Sequence, residues 1–294
     1  MFLVSDSDVP GVKVINHKSA NAGGSCDQWK AILQEDTEGY DVAFFQYQRE
    51  GQIPFEAIDT IPKNIIKIAW SGDVRKNVLD WQIELSKHVD IITFSRGETV
   101  NQMKNHADNA DWFDIWYDDD IFHPVKSEKD IDIVFMANNY TQFPLSNYRL
   151  KVVQFLKEKY GNRAKIYGNG WGNFADSEMN ADQPKQNDIY NRSKIAINLS
   201  NFEHENYSSD RILRAMGSGC FVLSHWYPKM PFKNHKHLAL FRDLTDLEYK
   251  INYYLKNEIR TEKMAKLGCK YVQSYWSKYG VKNRIENLIK EAKK

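Results

Sequence analysis

Eight short runs rich in β-branched and aromatic residues constrain this chain more than any other feature. They lie at Val12–Ile15, Val42–Phe45, Ile65–Ala69, Val89–Phe94, Ile131–Met136, Ala164–Tyr167, Lys194–Leu199 and Cys220–Leu223. None alternates cleanly between apolar and polar residues, which is how a strand covered on both faces of a parallel sheet reads. Helical patterns separate them at Gln28–Leu33, Asn147–Lys159, Asp210–Met216, Leu247–Leu255 and the tail Tyr271–Lys294. Strands alternating with helices predict an α/β fold built from βαβ units. Ligands in such sheets sit at the carboxyl ends of the strands, so the residues just after each run are the ones to inspect.

A chain of 294 residues has room for two domains of about 150 residues each. The polar stretch Tyr117–Lys129, with Pro124, falls between two strand–helix series and predicts the boundary. The expected domains are 1–124, joined by a final helix at 280–294, and 125–279. Charge divides the same way. Residues 1–124 hold 11 basic and 21 acidic side chains, and 125–294 hold 29 and 18. The basic half is the better host for a phosphorylated ligand, and the acidic half is a poor general surface for a nucleic-acid backbone.

Other classes are excluded. No apolar stretch is long enough to span a membrane, and the start lacks a basic, then apolar, leader. The expected location is the cytoplasm, or the host cytoplasm for a phage-encoded chain. Cys26, Cys220 and Cys269 are too few and too scattered for a disulfide framework or a cysteine zinc site.

Several strand ends carry chemistry. Gly23 and Gly24 precede a helix that Ser25 or Asp27 can cap, and glycines there permit close approach of a ligand to backbone. Trp70, Asp73 and Arg75 follow the third run, with Asp73 a candidate base beside an indole and a cation. Asn138 and Asn139 follow the fifth run and offer amides to a sugar or phosphate. Gly168 opens a glycine-rich loop around Trp171, whose indole suits stacking on a ring. The strongest cluster is the helix opened by Ser208, Ser209 and Asp210. Its free N–H groups suit a diphosphate. Arg211, unfavourable to the helix dipole in a first turn, makes sense beside a bound anion. Arg214 shares a face with Asp210.

The stretch RAMGSGCFVLS, Arg214 to Ser224, resembles the GT-B-fold glycosyltransferases, in particular the spore-maturation and family-1-like types. YDDDIFHP, with Asp118, Phe122 and Pro124, is similar to an element that commonly closes their first domain. The tail around Trp276 is similar to their returning helix. Many relatives carry Glu where Arg214 stands, and it holds the donor ribose; Asp210, one turn earlier, is the substitute here. The resemblance implies two Rossmann-like domains facing a cleft and a nucleoside-diphosphate sugar, UDP-sugar first, held by the second domain. It implies a hydroxyl acceptor, a glycan or small molecule, held by the first, with no cofactor or metal required and Asp118–Asp120 acting as linker. Donor contacts then fall to Asn138, Asn139, Arg149, Gly168, Trp171, Ser208, Ser209, Asp210 and Arg214. Acceptor contacts fall to Gly23, Gly24, Trp70 and Arg75. Arg211 neutralises the leaving phosphate, and Asp73 serves as base if the reaction inverts. Alternatives on the same fold are a phage-type enzyme acting on 5-hydroxymethyl-pyrimidine in DNA, a nucleotide-sugar epimerase or hydrolase, and a non-catalytic sugar-binding protein.

Overall fold

A computed structural model describes residues 2–3, 13–14, 25–73, 77–176 and 182–292. The chain divides into two units, Met1–Ile115 with Lys282–Lys294, and Trp116–Val281. Each is built on a wholly parallel sheet with its own apolar core.

The first unit orders its strands β2-β1-β3-β4-β5-β6. They are β1 (Phe2–Leu3), β2 (Lys13–Val14), β3 (Val42–Gln46), β4 (Ile66–Ser71), β5 (Ile91–Phe94) and β6 (Ala110–Trp112). Between them run α1 (Cys26–Thr37), α2 (Phe55–Ile58), α3 (Asp80–Leu85) and α4 (Gly97–Met103). Ser25 starts α1 with a capping box: its Oγ accepts from Gln28 N–H and its own N–H donates to Gln28 Oε1. Phe44, Phe45, Ile68, Ala69 and Ile92 are fully buried, the consequence of a sheet covered on both faces.

The second unit orders its strands β11-β10-β9-β7-β8. They are β7 (Ile131–Met136), β8 (Ala164–Tyr167), β9 (Ser193–Asn198), β10 (Phe221–His225) and β11 (Ala239–Phe241). Its helices are α5 (Ser146–Tyr160), α6 (Gln183–Arg192), α7 (Asp210–Gly217), α8 (Leu244–Lys256) and α9 (Glu258–Trp276). The last helix, α10 (Lys278–Ala292), starts in this unit and ends in the first. Strand order reverses at β7, whose neighbours are β8 on one side and β9 on the other. A parallel sheet opens its ligand crevice at such a reversal.

The division at Ile115 places Tyr117–Pro124 in the second unit, ahead of the boundary that the polar stretch suggests. The reason is local bonding. Tyr117 N–H donates to the Trp276 carbonyl, and Lys278 Nζ meets Asp118 and Asp120 at 3.1 and 2.5 Å. The Lys278 N–H adds a bond to Asp119 Oδ1 at 2.9 Å. The three aspartates therefore fasten the break between α9 and α10. That break, at Ser277, divides the tail that periodicity reads as one helix.

Helix α7 is held against α9 at a point where α9 carries Gly268. A Cβ there would lie 2.3 Å from the His237 carbonyl oxygen and 2.9 Å from Met216 Cε. The obstacle is backbone, which yields less readily than a side-chain tip. Gly268→Ala is expected to lose about 1–3 kcal/mol, the usual cost of overpacking, as a lower midpoint in urea with unchanged slope.

Candidate functional site

The carboxyl end of β7 is closed by its neighbours. Trp171 Nε1–H donates to the Ala137 carbonyl at 2.5 Å, and Asn169 N–H donates to Asn138 Oδ1 at 2.9 Å. The Asn139 side-chain amide donates to the Gly170 carbonyl at 3.0 Å. Gly168, at φ +129°, comes so close that a Cβ would lie 2.1 Å from the Ala137 oxygen. Asn138, Asn139 and Gly168 thus stitch the turns after β7 and β8 together. The expectation that Trp171 stacks on a ligand ring is corrected. Its indole is 2% exposed, packs edge-on against Phe135 and belongs to the core under the loop.

Arg149, on the first turn of α5, lies behind this closure and is 1% exposed. One nitrogen, Nη2, donates to the Asn138 carbonyl at 2.9 Å. Its guanidinium carbon stands 5.8 Å from the Phe135 ring centre and 5.7 Å from that of Trp171. Nε and Nη1 have no hydrogen-bond partner. Burial, and then the like charge of Arg211, pull this guanidinium down to about 9. Tyr140 and Tyr207 also lie within its electrostatic reach. A buried cation with two unused donors and a second cation beside it is a preformed site for an anion.

The other wall is the start of α7, after β9. Ser209 caps the helix by position only. Its hydroxyl donates to Asn198 Oδ1 at 3.1 Å, and Asn198 in turn donates to Ser224 Oγ at 2.9 Å. Ser208 is fully buried, 3.4 Å from the Tyr227 hydroxyl. The hydroxyls of Ser208 and Ser209 are therefore taken up in an internal network, and what these residues leave for a ligand is the open helix end. Asp210 Oδ1 accepts from Arg211 N–H at 3.0 Å, and Oδ2 meets Arg214 at 2.9 Å. Arg214 also donates to Gln186 Oε1 at 3.2 Å and lies over the Phe122 ring. The loop between β9 and α7 adds residues that the sequence reading passed over. Asn201 Oδ1 is buried without a partner, and Phe202 stacks on His204 and meets Phe143 edge-on. The dense aromatic and histidine content of Asn201–Tyr207 at a strand end was the available signal.

In the first unit, Trp70 is 7% exposed and donates from Nε1 to the Phe113 carbonyl at 2.8 Å. Its expected acceptor contact gives way to a place in the core. Asp73 is exposed just after β4, and its N–H donates to Gln48 Oε1 at 3.1 Å. Gly23, Gly24 and Arg75 lie outside the described residues. Among the described residues, no cluster of His, Cys, Asp or Glu is arranged to hold a metal ion, and no helix is long and apolar enough to cross a membrane.

Residues 149–290 match the family described as glycosyl transferase-like. The solved structure of TarM superposes with a TM-score of 0.63 at 13% identity, over 90% of this chain and 58% of TarM. The pneumococcal O-GlcNAc transferase GtfA, crystallised with UDP and GlcNAc, scores 0.59 at 12% identity over 90% and 60%. Anabaena HepE, crystallised with UDP-glucose, scores 0.60 at 10% identity over 95% and 86%. The chain thus spans about three fifths of TarM and GtfA. At these identities the likeness is one of fold: two parallel α/β sheets of the GT-B glycosyltransferases. No curated protein matches the sequence.

Arg149 is costly to the empty protein, because it is buried and under-bonded. Arg149→Met is expected to melt no lower than wild type without ligand, while losing the anion. Differential scanning calorimetry with and without a nucleoside diphosphate separates the two effects.

Proposed function

We propose that this chain, which has the GT-B fold and matches the glycosyl transferase-like family over residues 149–290, moves a sugar from a UDP-sugar to a hydroxyl of a glycan or small molecule. The observation that carries this reading is the buried Arg149 guanidinium, with two unpartnered nitrogens beside Arg211 at the reversal of a parallel sheet. A diphosphate supplies the counter-charge that this pair lacks. UDP is the preferred nucleotide because HepE and GtfA, of the same fold, are crystallised with UDP-glucose or UDP.

In this reading the diphosphate lies at the carboxyl ends of β7 and β9, against Arg149, Arg211 and the open end of α7. The bond between the anomeric carbon and the diphosphate oxygen breaks, and its electron pair moves onto that oxygen. Arg149 and Arg211 neutralise the charge that grows there, in a site where low dielectric strengthens them. Asn201 Oδ1 accepts a hydrogen bond from a donor hydroxyl, and Asp210, already bonded to Arg214, binds ribose hydroxyls with its remaining lone pairs. Asn138, Asn139, Gly168 and Trp171 act on the donor by holding the backbone that Arg149 leans on. The acceptor oxygen takes the anomeric carbon and releases a proton. Asp73, at the carboxyl end of β4, takes that proton in an inverting reaction; in a retaining one the departing diphosphate oxygen takes it and Asp73 only positions the acceptor.

The test is a melting panel with UDP, GDP, dTDP, CDP and ADP. At one hundred times its Kd a specific ligand adds about 2.7 kcal/mol of stability. UDP is expected to raise the melting point of wild type and to leave Arg149→Met unmoved. Arg211→Ala is expected to lower turnover of a UDP-sugar by about 10²–10³-fold, the usual effect of removing one group that stabilises transition-state charge. Stabilisation by none of the five diphosphates overturns the reading.

The pH dependence has a defined sign. UDP binds the protonated guanidinium, so its affinity is level while Arg149 is charged and falls as pH rises through about 9. Calorimetric titration from pH 7 upward checks this; a rise in affinity above 9 contradicts it.

A further inference from the structure

The positive charge of the second half is not concentrated at the anion site. Residues 250–294 alone hold 12 basic and 4 acidic side chains, a net of +8 out of the +11 in 125–294. Four of these twelve cations, Arg260, Lys263, Lys266 and Lys270, stand on α9, together with Glu258 and Glu262. At 100° per residue, Ile259, Lys263, Lys266, Leu267 and Lys270 fall on one stripe of that helix. Ile259 is 88% exposed and Leu267 is 38% exposed. Lys263, Lys266 and Lys270 are exposed, and among the described residues no carboxylate forms an ion pair with any of them. The patch continues onto α8 through Arg260, whose guanidinium lies 6.0 Å from the Tyr253 ring, and through Tyr249, which stacks on Tyr253 and is 67% exposed. The carboxylates near it lie to one side: Glu258, 4.0 Å from Lys194, and Glu262. The opposite face of α9, with Met264, Ala265, Gly268, Cys269 and Val272, is buried in the unit.

We propose that this face of α8 and α9 docks the protein on an anionic phospholipid surface, as a peripheral contact with no spanning segment. Three features favour that occupant. The lysines give charge complementarity to lipid phosphates. The exposed Ile259, Leu267 and Tyr249 are rewarded by a bilayer interface and not by a nucleic-acid backbone, which rewards charge alone. The stripe occupies Ile259–Lys270 of a 19-residue helix, about 18 Å of ridge suited to a flat partner. A second copy of the chain would set one row of lysines against another. Lys194 and Lys266 also line a cavity beside the patch, together with Phe221, Tyr254, Glu258 and Glu262.

The experiment is co-sedimentation of the full chain with vesicles of phosphatidylcholine alone, or with 30% phosphatidylglycerol, at low and high salt. Binding is expected only to the anionic vesicles and is expected to be lost at high salt. Lys263→Glu, Lys266→Glu and Lys270→Glu should each weaken partitioning by about fivefold or more, from the loss of one surface cation. Ile259→Ser should weaken it with the charge unchanged, and that separates a bilayer from a purely electrostatic partner. Each variant should keep its melting point and its stabilisation by UDP, which also keeps this outcome separate from that of the transferase reading. No binding to anionic vesicles, equal binding by the lysine variants, or salt-sensitive binding to duplex DNA with none to vesicles would each overturn the proposal.

Discussion

The carboxyl end of β7 is the point on which the rest of the second unit turns. A parallel strand stops with backbone groups that its neighbours no longer pair, and those groups must be bonded if they are to stay buried. Here the turn after β8 does the bonding, through Trp171, Asn169 and the close approach of Gly168. That closure fixes the Asn138 carbonyl, and the carbonyl fixes one nitrogen of Arg149. The guanidinium is buried there, with Nε and Nη1 left without partners. Its unused nitrogens are held ready by bonds whose only local purpose is to finish a strand. Preorganisation of this kind is what makes an electrostatic site effective, since little has to reorganise when charge arrives.

The α7 helix carries an acid and a base on one face, one turn apart. The resemblance leads one to expect an acid at the position of Arg214. The acid stands one turn earlier, as Asp210, and the two side chains meet at 2.9 Å. An acid in the first turn and a base in the last both agree with the helix dipole. Arg214 then reaches out to Gln186 and the Phe122 ring, which ties α7 to α6 and to the segment that precedes β7.

Much of the architecture was legible because both sheets are covered on two faces. That requirement forces continuous apolar runs, and each of the eight contains or overlaps a strand. The strands that were missed, β6 and β11, are three residues long and lie at sheet edges, where a run has no room to declare itself; β1, with two residues, is shorter still. The division of the final helical pattern at Ser277 was invisible, since it depends on Lys278 meeting aspartates some 160 residues earlier. Side chains in loops were the harder matter. Trp70 and Trp171 stand beside glycines and read as open to ligand, yet both turn inward and donate to a carbonyl. Sequence shows that an indole is present and not which way it points. Arg149 was legible as a cation on a helix; its lack of partners was not, because that is a property of the packing around it.

The first unit is discontinuous in sequence, and this bears on how the protein is made. Its last contribution is the end of α10, where Arg284 donates to the Asp114 carbonyl and lies 4.4 Å from the Phe113 ring centre. Between Ile115 and Lys282 the ribosome must complete the 166 residues from Trp116 to Val281. At bacterial-to-eukaryotic synthesis speeds that interval lasts roughly ten to thirty seconds. During it the second unit can assemble as its strands emerge, while the first waits with Asp114 and Phe113 uncovered. The contacts that Arg284 makes in the first unit can thus form only after every residue of the second unit has been synthesised.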